Sequence, residues 1–491
     1  MGKAADDQAR AAHRRCLAMV GALLLLAGAA AAEDVELTDL SLEELFNVEV
    51  TSASKIPERR SEAAAALSVI GHQELRRLGV TTLPDALRVV PGVHVARIDA
   101  GKWAVSVRGF SNRFSNKLLV MMDGRSIYTP LFAGVFWDVQ DTFLTDIDRI
   151  EVIRGPGAAL WGANAVNGVI NIMTRSAAET QGVHAHIGGG NEEQVVTGVR
   201  YGGKLGERIH YRVYGKYADR DGGSEPPNGL YGFDEWWKAQ GGFRTDWDLS
   251  DRDSFTFQGD AYGGETSPWG LSPDSADVLG ANLLGRWRHH FRNGSDTTLQ
   301  IFYDTTMRDD PFFLDRRHTF DIDFQHRLQL LDWNELLWGF GYRLNGDVFE
   351  GTAGVRLTEE SRQLNTVAAF VQDTVFFFDE AVRLSLGVRL EHNDFSGFEY
   401  QPSGRVAWTI LPDLTAWGSV ARAVRVPSRL ENDLVLGASG PSQLRGSPAT
   451  DAEELISYQT GVRWQPTTRA FFDIAGFYHE YDDLISFDVG S

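Results

Sequence analysis

Thiol groups are almost absent from this sequence. Its 491 residues include one cysteine, Cys16, which lies at the start of an apolar N-terminal run and not just behind it, so it is not placed for lipid attachment. A chain that loses this N-terminus keeps no thiol at all. Disulfide scaffolds, thiolate metal sites and cysteine nucleophiles are therefore excluded together.

Long apolar runs are also missing, with one exception at the N-terminus. There, Arg10, Arg14 and Arg15 precede an apolar stretch that extends from Leu17 to Ala32. A basic start, an apolar centre and a small-residue end are typical of a secretory signal peptide, which we predict for residues 1–32; an uncleaved anchor is the alternative. No later segment has the roughly 18 consecutive apolar residues of a membrane-spanning helix. The sequence therefore predicts an exported protein that is not a helical membrane protein.

An excess of basic charge is lacking too. Acidic residues number 67 against 47 basic ones, which gives a net charge of −20. This balance disfavours nucleic acid as a partner, because proteins that bind it present clustered Lys and Arg. The histidines that lie close together, His184 with His186 and His289 with His290, have no carboxylates at ligand spacing, so we expect no metal site and no cofactor.

What the chain does contain divides into two patterns near Ser176, as its length leads us to expect. The first part mixes short helices with short strands. Thr82, followed by Pro84 and Asp85, predicts a helix start, and the helix is expected to run to Val90. Two short apolar strands, at 118–122 and 147–153, accompany it. We therefore predict a compact α+β domain over residues 61–176.

The second part, residues 177–491, alternates with a period of two, which is typical of strands with one apolar face. The clearest apolar face consists of Val382, Leu384, Leu386, Val388 and Leu390. The strands are about ten to fifteen residues long, which suits a tilted bilayer crossing better than a soluble sheet. Aromatic residues crowd the strand ends, and short turns alternate with long polar loops, as in a membrane barrel. A secreted soluble β-protein is the alternative.

Three segments of the first part resemble the plug of TonB-dependent outer-membrane receptors. They are VRGF at 107–110, LVMMDGR at 119–125, and the stretch 150–172, which begins IEVIRGPG. Residues 421–428 and 453–461 are similar to late barrel strands of the same family. The resemblance implies an α+β plug domain inside an antiparallel transmembrane β-barrel in the outer membrane of a Gram-negative bacterium. The glycines near Gly155 do not form a dinucleotide fingerprint, because Leu160 stands where a third glycine is expected.

The number of strands is smaller than the resemblance implies. Family barrels have about 22 strands, whereas the roughly 315 residues after Ser176 contain about fifteen candidates. We therefore expect a partial barrel, because an enclosed plug of this size needs the wider lumen. A smaller closed barrel is the alternative.

An energy-coupling segment is expected between the signal peptide and the plug, in the periplasmic stretch 33–60. Residues 48–52 resemble the TonB box of the family, which adds a strand to the sheet of the partner TonB, itself working with ExbB and ExbD. The segment consists of Val48, Glu49, Val50, Thr51 and Ser52. We expect it to be extended and solvent-exposed; an ordinary linker is the alternative.

Two further sets of residues follow from the resemblance. Arg108 and Arg154 are similar to plug arginines that pair with barrel glutamates, and Glu391 and Glu453 are similar to those glutamates. The four residues therefore imply a latch between plug and barrel. Lumen charges that face water are the alternative.

The plug loops 110–116 and 128–137 imply a ligand-facing surface on the extracellular side. Its candidate residues are Arg113, Phe114, Tyr128 and Trp137. Packing against the barrel wall is the alternative for these loops.

The expected function is active uptake of a scarce extracellular ligand. The resemblance implies a ferric siderophore or a similar metal complex, with cobalamin, haem or an oligosaccharide as alternatives. A passive porin is disfavoured because a plug would block diffusion. An outer-membrane enzyme is disfavoured because no Ser/His/Asp or paired-carboxylate arrangement stands out from the lumen charges, and we expect no catalytic residues.

Overall fold

The computed structural model describes residues 48–222, 234–270, 272–437 and 443–486. The predicted signal peptide, 1–32, and the first part of the predicted periplasmic stretch, 33–47, lie outside these ranges. Within them, no helix is both long enough and apolar enough to cross a membrane.

The N-terminal domain consists of short helices and three small sheets. Its strands are β1 (Glu49–Val50), β2 (Glu58–Arg59), β3 (Ala66–Gly71), β4 (Val93–Arg97), β5 (Trp103–Val107), β6 (Leu118–Met122), β7 (Arg125–Ser126), β8 (Ile147–Arg154) and β9 (Gly168–Thr174). Its helices are α1 (His72–Leu78), α2 (Leu83–Ala86) and α3 (Ala158–Trp161). The sheet orders are β1-β2, β4-β5 and β3-β8-β9-β6-β7.

Local sequence explains two of these boundaries. The Thr82 side chain accepts the N–H of Asp85 and caps α2 as predicted, but the helix gives way to a 3-10 turn, Leu87–Val89, before Val90. The hairpin between β6 and β7 turns at Asp123 and Gly124, whose φ angles are 50° and 80°. An Asp-Gly pair is favoured in such a turn because both residues tolerate a positive φ. The core of the domain packs buried side chains such as Val120, Ile150 and Ile170.

The C-terminal domain is one antiparallel sheet of fifteen strands with small additions on its loops. The sheet strands are β10 (Gly182–Gly188), β11 (Glu193–Leu205), β12 (Ile209–Arg220), β13 (Trp236–Asp248), β14 (Asp253–Thr266), β15 (Ala276–His290), β16 (Asp296–Asp310), β17 (Phe313–Leu331), β18 (Asn334–Gly351), β20 (Ser361–Phe377), β21 (Val382–Asn393), β22 (Gly397–Leu411), β23 (Leu414–Arg425), β26 (Glu453–Thr467) and β27 (Ala470–Asp482). The loop elements are β19 (Val355–Leu357), α4 (Arg429–Asp433), β24 (Leu434–Leu436) and β25 (Leu444–Arg445). Each sheet strand pairs with the next one along the chain.

The predicted two-residue alternation is confirmed. On β21, Leu386 and Leu390 point outward and are 57% and 46% exposed, whereas Arg389 and Glu391 are buried on the inner face that surrounds the plug. One rim carries short turns and the other carries the longer loops. In membrane barrels the short turns are periplasmic and the long loops extracellular, so we name the rims accordingly.

The sheet does not close in the part of the chain that the structure describes. The order runs from β10 to β27, and neither outer edge has a partner strand among these residues. The expected fifteen strands and open barrel are therefore confirmed. Lumen side chains near the opening are left partly uncovered, such as Phe477, which is 53% exposed.

Candidate functional site

The segment expected to contact an energy-coupling partner is extended but not exposed. Val50 pairs with Glu58 in the β1–β2 ladder. The side chain of Val50 is fully buried in an apolar cluster with Leu67 and Ile153, and Ser52 is 1% exposed. The expectation of solvent exposure was therefore wrong. The reason is that the alternating Val48 and Val50 give this segment an apolar face that the plug covers.

A buried carboxylate fastens the same segment. Glu151, on β8, accepts the backbone N–H groups of Thr51 at 3.1 Å and Ser52 at 2.8 Å, and it pairs with Arg149 at 2.8 Å. The indole N–H of Trp161 donates to the Ser52 carbonyl at 2.8 Å. Hydrogen bonds to a charged acceptor are stronger than neutral ones. Residues 48–52 are thus docked through backbone N–H and carbonyl groups. A partner strand would need the same groups for its own hydrogen bonds.

A few residues later, Lys55 connects the plug to the barrel wall. Its ammonium lies 3.6 Å from the carboxylate of Asp323 on β17 and within 5 Å of the ring centres of Trp161 and Phe370. Burial lowers the pKa of Lys55, and the neighbouring Asp323 offsets this effect only in part. A cation that follows the docked segment is therefore held between plug and wall.

The plug–barrel latch joins different residues from those expected. Glu453 accepts hydrogen bonds from Arg425 of the neighbouring strand, at 2.6 Å, and from Lys117 of the plug. Burial lowers the pKa of Lys117, against the opposing effect of Glu453. No sequence motif had singled out Lys117, which lies just before β6.

Arg108 and Arg154 form no ion pair with Glu391 or Glu453 among the described residues. Arg108 donates to Gln459 at 2.8 Å and contacts His479 at 3.0 Å near the open edge of the sheet, and burial together with Arg154 lowers its pKa to about 10. Arg154 donates to the Pro91 carbonyl at 3.1 Å and so stays within the plug. Their expected pairing was wrong because Arg108 reaches β26 at Gln459, farther along the strand than Glu453, and Arg154 turns back to the plug backbone.

Glu391 does contact the plug, but not through arginine. It pairs with Arg389 on its own strand at 3.1 Å and accepts a long bond, 3.5 Å, from the backbone N–H of Ala163. Its part in a latch is therefore a contact to the end of α3.

The expected ligand-facing loops divide into contacts of different kinds. Phe114 stacks on Trp269 of the β14–β15 loop with 4.7 Å between ring centres, and Arg113 donates to the Trp269 carbonyl at 2.6 Å. Tyr128 lines a cavity, and burial raises the pKa of its hydroxyl. Trp137 is only 7% exposed and belongs to the plug core, where it also lines a small pocket with Arg113 and Phe114. Its indole shares an apolar cluster with Val105 and Leu118, and its role as a ligand-facing residue stays a prediction.

A barrel loop covers these plug loops from the extracellular side. We call residues 428–436 the lid. The backbone N–H groups of Arg429 and Leu430 donate to the carbonyls of Pro130 and Leu131, each at 2.9 Å. Arg429 is fully buried and pairs with Asp347 of β18 at 3.0 Å.

The lid begins with a capping box and rests on aromatic side chains. The Ser428 hydroxyl and the Glu431 carboxylate cap α4 reciprocally. The Ser-x-x-Glu spacing is a helix-start signature that can be read in the sequence, although residues 421–428 were assigned only to a strand. Leu430 and Leu434 pack against Phe132 and Phe313. The lid therefore packs on the plug loop around residues 130–132.

Beneath the lid lies a large space between the plug and strands β15–β21, which we call the plug–wall cavity. Its volume is about 620 Å³. Thr51, Lys55, Asp123, Tyr128 and Trp161 line it from the plug, and Arg286, Arg288, Gln300, Asp321, Tyr342 and Asn393 line it from the wall. These residues extend from the periplasmic ends of β15 and β16 to the extracellular end of β21. The cavity is lined by charges and hydroxyls, which suit a polar ligand better than an apolar one.

The histidines show no metal-binding arrangement where the structure places them. His184 and His186 lie against Phe143, with ring centres 5.8 and 5.1 Å from it. Within the described ranges, no three His, Cys, Asp or Glu side chains are grouped so that they could hold a metal ion.

With this geometry in hand, comparisons with known proteins give consistent results. A model described as the TonB-dependent receptor plug domain matches residues 59–169, and one described as the TonB-dependent receptor-like beta-barrel matches residues 192–491. An iron-regulated outer membrane virulence protein of Vibrio cholerae is 23% identical over 492 residues, which cover 94% of this chain and 72% of that protein. A vitamin B12 transporter of Vibrio vulnificus is 33% identical over 147 residues, 30% of this chain and 23% of the transporter.

Solved structures share the fold. The ferric enterobactin receptor of Pseudomonas aeruginosa, as a point mutant, superposes with a TM-score of 0.71 at 18% identity, covering 85% of this chain and 71% of that one. The hemophore receptor of Serratia marcescens, in complex with its hemophore and heme, gives a TM-score of 0.72 at 13% identity, with 85% and 73% covered. At these identities the likeness concerns the fold alone.

Proposed function

The chain belongs to the TonB-dependent receptors of the outer membrane, and from this premise we propose that it takes up a ferric siderophore or a similar metal complex. Receptors of this family handle siderophores, haem or B12-like ligands. The choice of a siderophore rests on the relative that aligns with 94% of the chain, which is named as iron-regulated. Haem and cobalamin are the alternatives, since the hemophore receptor and the B12 transporter are also similar to this chain.

The observation that carries the transport mechanism is the docked state of residues 48–52. A partner that adds a strand must form backbone hydrogen bonds with its target. In the described structure, the N–H groups of Thr51 and Ser52 donate to Glu151, and the Ser52 carbonyl accepts the indole N–H of Trp161. In our proposal, ligand binding at the extracellular side releases this segment, and TonB, with ExbB and ExbD, then binds and pulls it.

The plug–wall cavity supplies the second part of the proposal. Lys55 and Trp161, which follow or contact the docked segment, also line this cavity. A pull on residues 48–52 therefore acts first on side chains at the cavity wall. In our proposal this movement widens the cavity into the route of the ligand.

The test removes the backbone N–H donor of residue 50. Proline at position 50 removes an N–H and fixes φ, so Val50→Pro should abolish uptake of radio-iron-labelled enterobactin by cells while leaving its binding to the receptor unchanged. Val50→Ala, which keeps the N–H, is the matched control and should transport. Haem and vitamin B12 are assayed in parallel to identify the ligand. Undiminished uptake by Val50→Pro, or uptake that persists when the proton gradient is collapsed, would contradict the mechanism.

A further inference from the structure

Arginine side chains converge at the periplasmic end of the plug–wall cavity. Arg286 and Arg288 lie on the inner face of β15, two residues apart, and Arg244 projects from the inner face of β13. In the register of β15 with β16, Arg286 faces Gln300 and Arg288 faces Thr298. All five residues line the cavity.

Two of these arginines have no carboxylate partner within the described ranges. Arg286 donates to the Gln300 side-chain oxygen at 2.6 and 2.9 Å and to the backbone carbonyl of Asp123, which are all neutral acceptors. Arg288 is exposed to the cavity and forms no hydrogen bond or ion pair there. Its guanidinium thus keeps its full set of N–H donors available.

The nearby carboxylates are already engaged. Asp246 pairs with Arg244 at 2.8 Å and also accepts the N–H of Ala177 at 2.7 Å. Asp296 pairs with Arg327 at 2.5 Å. The carboxylate of Asp123, which lies nearby, accepts from Thr174 and Gln258. Arg286 and Arg288 therefore form no ion pair among the described residues, and both line the plug–wall cavity.

From this arrangement we propose that Arg286 and Arg288, with Thr298 and Gln300, form a binding site for a polyanion whose charge is carried by carboxylate or catecholate oxygens. Guanidinium groups bind such oxygens through paired N–H donors. The proposal rests on the proposed function, because the anion is the transported ligand in its last position before it leaves the barrel. A small oxyanion of the periplasm, such as phosphate, shares this chemistry and is distinguished by the test below.

The plug controls one half of this site. The Asp123–Gly124 turn lies against it, and a side chain on Gly124 would come within 3.0 Å of Gln300 and 3.3 Å of Arg286. While the turn is in place, Arg286 is engaged by the Asp123 carbonyl. When the turn withdraws, Arg286 joins Arg288 in binding the anion, so affinity rises as the plug moves.

The experiment measures citrate binding to the purified chain in detergent by isothermal titration calorimetry. Citrate serves as a compact tricarboxylate, and phosphate is titrated separately and in competition. Arg288→Gln should weaken citrate binding about tenfold, since it removes one charged donor group from the anion. Among the described residues no hydrogen bond or ion pair joins Arg288 to the plug, so this change removes no polar plug contact. Arg288→Lys should recover part of the affinity.

The matched control is Arg316→Gln, which removes an arginine from the outer face of β17, where it pairs with Glu350 at 2.9 Å. This variant should bind citrate as the parent does. Absence of citrate binding, or equal binding by parent and Arg288→Gln, would overturn the site. Phosphate that displaces citrate at equal concentration would overturn its assignment to a transported ligand. Because binding to the purified chain needs no TonB, failure of energised uptake would leave this result standing and is recognised separately.

Discussion

Glu151 is the side chain on which the docked state of residues 48–52 depends most directly. Glu151→Gln replaces the charged acceptor of two backbone N–H groups with a neutral amide, and it leaves Arg149 paired with Asp148 alone. Each bond to a charged group contributes about 1.5–3 kcal/mol, so we expect the segment to undock. A spin label on a cysteine at exposed position 49, in a background with Cys16 replaced by serine, should change from an immobile to a mobile spectrum.

The control for this measurement is Glu74→Gln, which alters an exposed glutamate on α1 of the same domain. It should leave the label immobile. An immobile label in Glu151→Gln would mean that the other contacts of the segment, among them the burial of Val50 and the Trp161 bond to Ser52, are sufficient to hold it.

Glu453 is the second side chain whose replacement should have a measurable effect, here on the free energy of unfolding. Glu453→Gln leaves the buried Lys117 without its carboxylate and leaves Arg425 with Glu431 alone, and removal of one member of a buried ion pair costs about 3–5 kcal/mol. We expect urea unfolding to show a loss of this order. Arg154→Gln, which removes only a bond to the Pro91 carbonyl, should lower the free energy of unfolding by about 1 kcal/mol or less. Equal losses in the two variants would contradict the latch described here.

Single contacts of this kind were the hardest to predict from the sequence. The resemblance to the family implies that Arg108 and Glu453 face the same lumen. The partner of each residue depends on strand register and on the position of the plug along the barrel axis. Arg425 pairs with Glu453 because the β23–β26 ladder places them opposite each other. Lys117 reaches Glu453 through the fold of the plug, and nothing in its local sequence indicates this.

The lid gives an expectation for a loop segment. Leu131 of the plug and Leu430 of the lid are joined by a backbone hydrogen bond of 2.9 Å and share an apolar cluster, so we expect cysteines at both positions to form a disulfide. If the lid must open for the ligand to enter, the oxidised double mutant, in a background with Cys16 replaced by serine, should not bind radio-iron-labelled enterobactin, and reduction should restore binding. Each single cysteine variant is the control. Unchanged binding in the oxidised form would show that the ligand enters by another path.

Strands were predicted more reliably than the contacts that surround them. The alternation of Leu384, Leu386 and Val388 identifies a strand without any knowledge of its neighbours, because the side-chain period is local. The exposure of β1 depends on what packs over it, and there the expectation was wrong. The same pattern of Val48 and Val50 that resembles a docking strand for a partner also makes a strand that the plug itself buries.

For the assembled sheet, sequence was a good guide to strand number and topology. Short turns between long alternating strands leave little choice but an up-and-down antiparallel order, and the fifteen strands follow it. The plug–wall cavity was not predictable. Its lining joins residues as distant along the chain as Thr51 and Asn393, which share no pattern and meet only when the plug sits inside the sheet.

The outward apolar face of this sheet leads to a last expectation. Val371, near the middle of β20, points away from the plug and is 41% exposed. If the face contacts lipid, arginine at this depth costs about 2–4 kcal/mol in the bilayer, whereas in a water-exposed sheet it would cost little. Val371→Arg should therefore reduce the amount of folded protein in the outer-membrane fraction, as seen by heat-modifiable migration in gels. Thr366→Arg on the same strand faces the plug–wall cavity, which has room for the side chain and a polar lining, and should assemble normally. If Val371→Arg assembled as well as Thr366→Arg, this face of β20 would not be in contact with lipid.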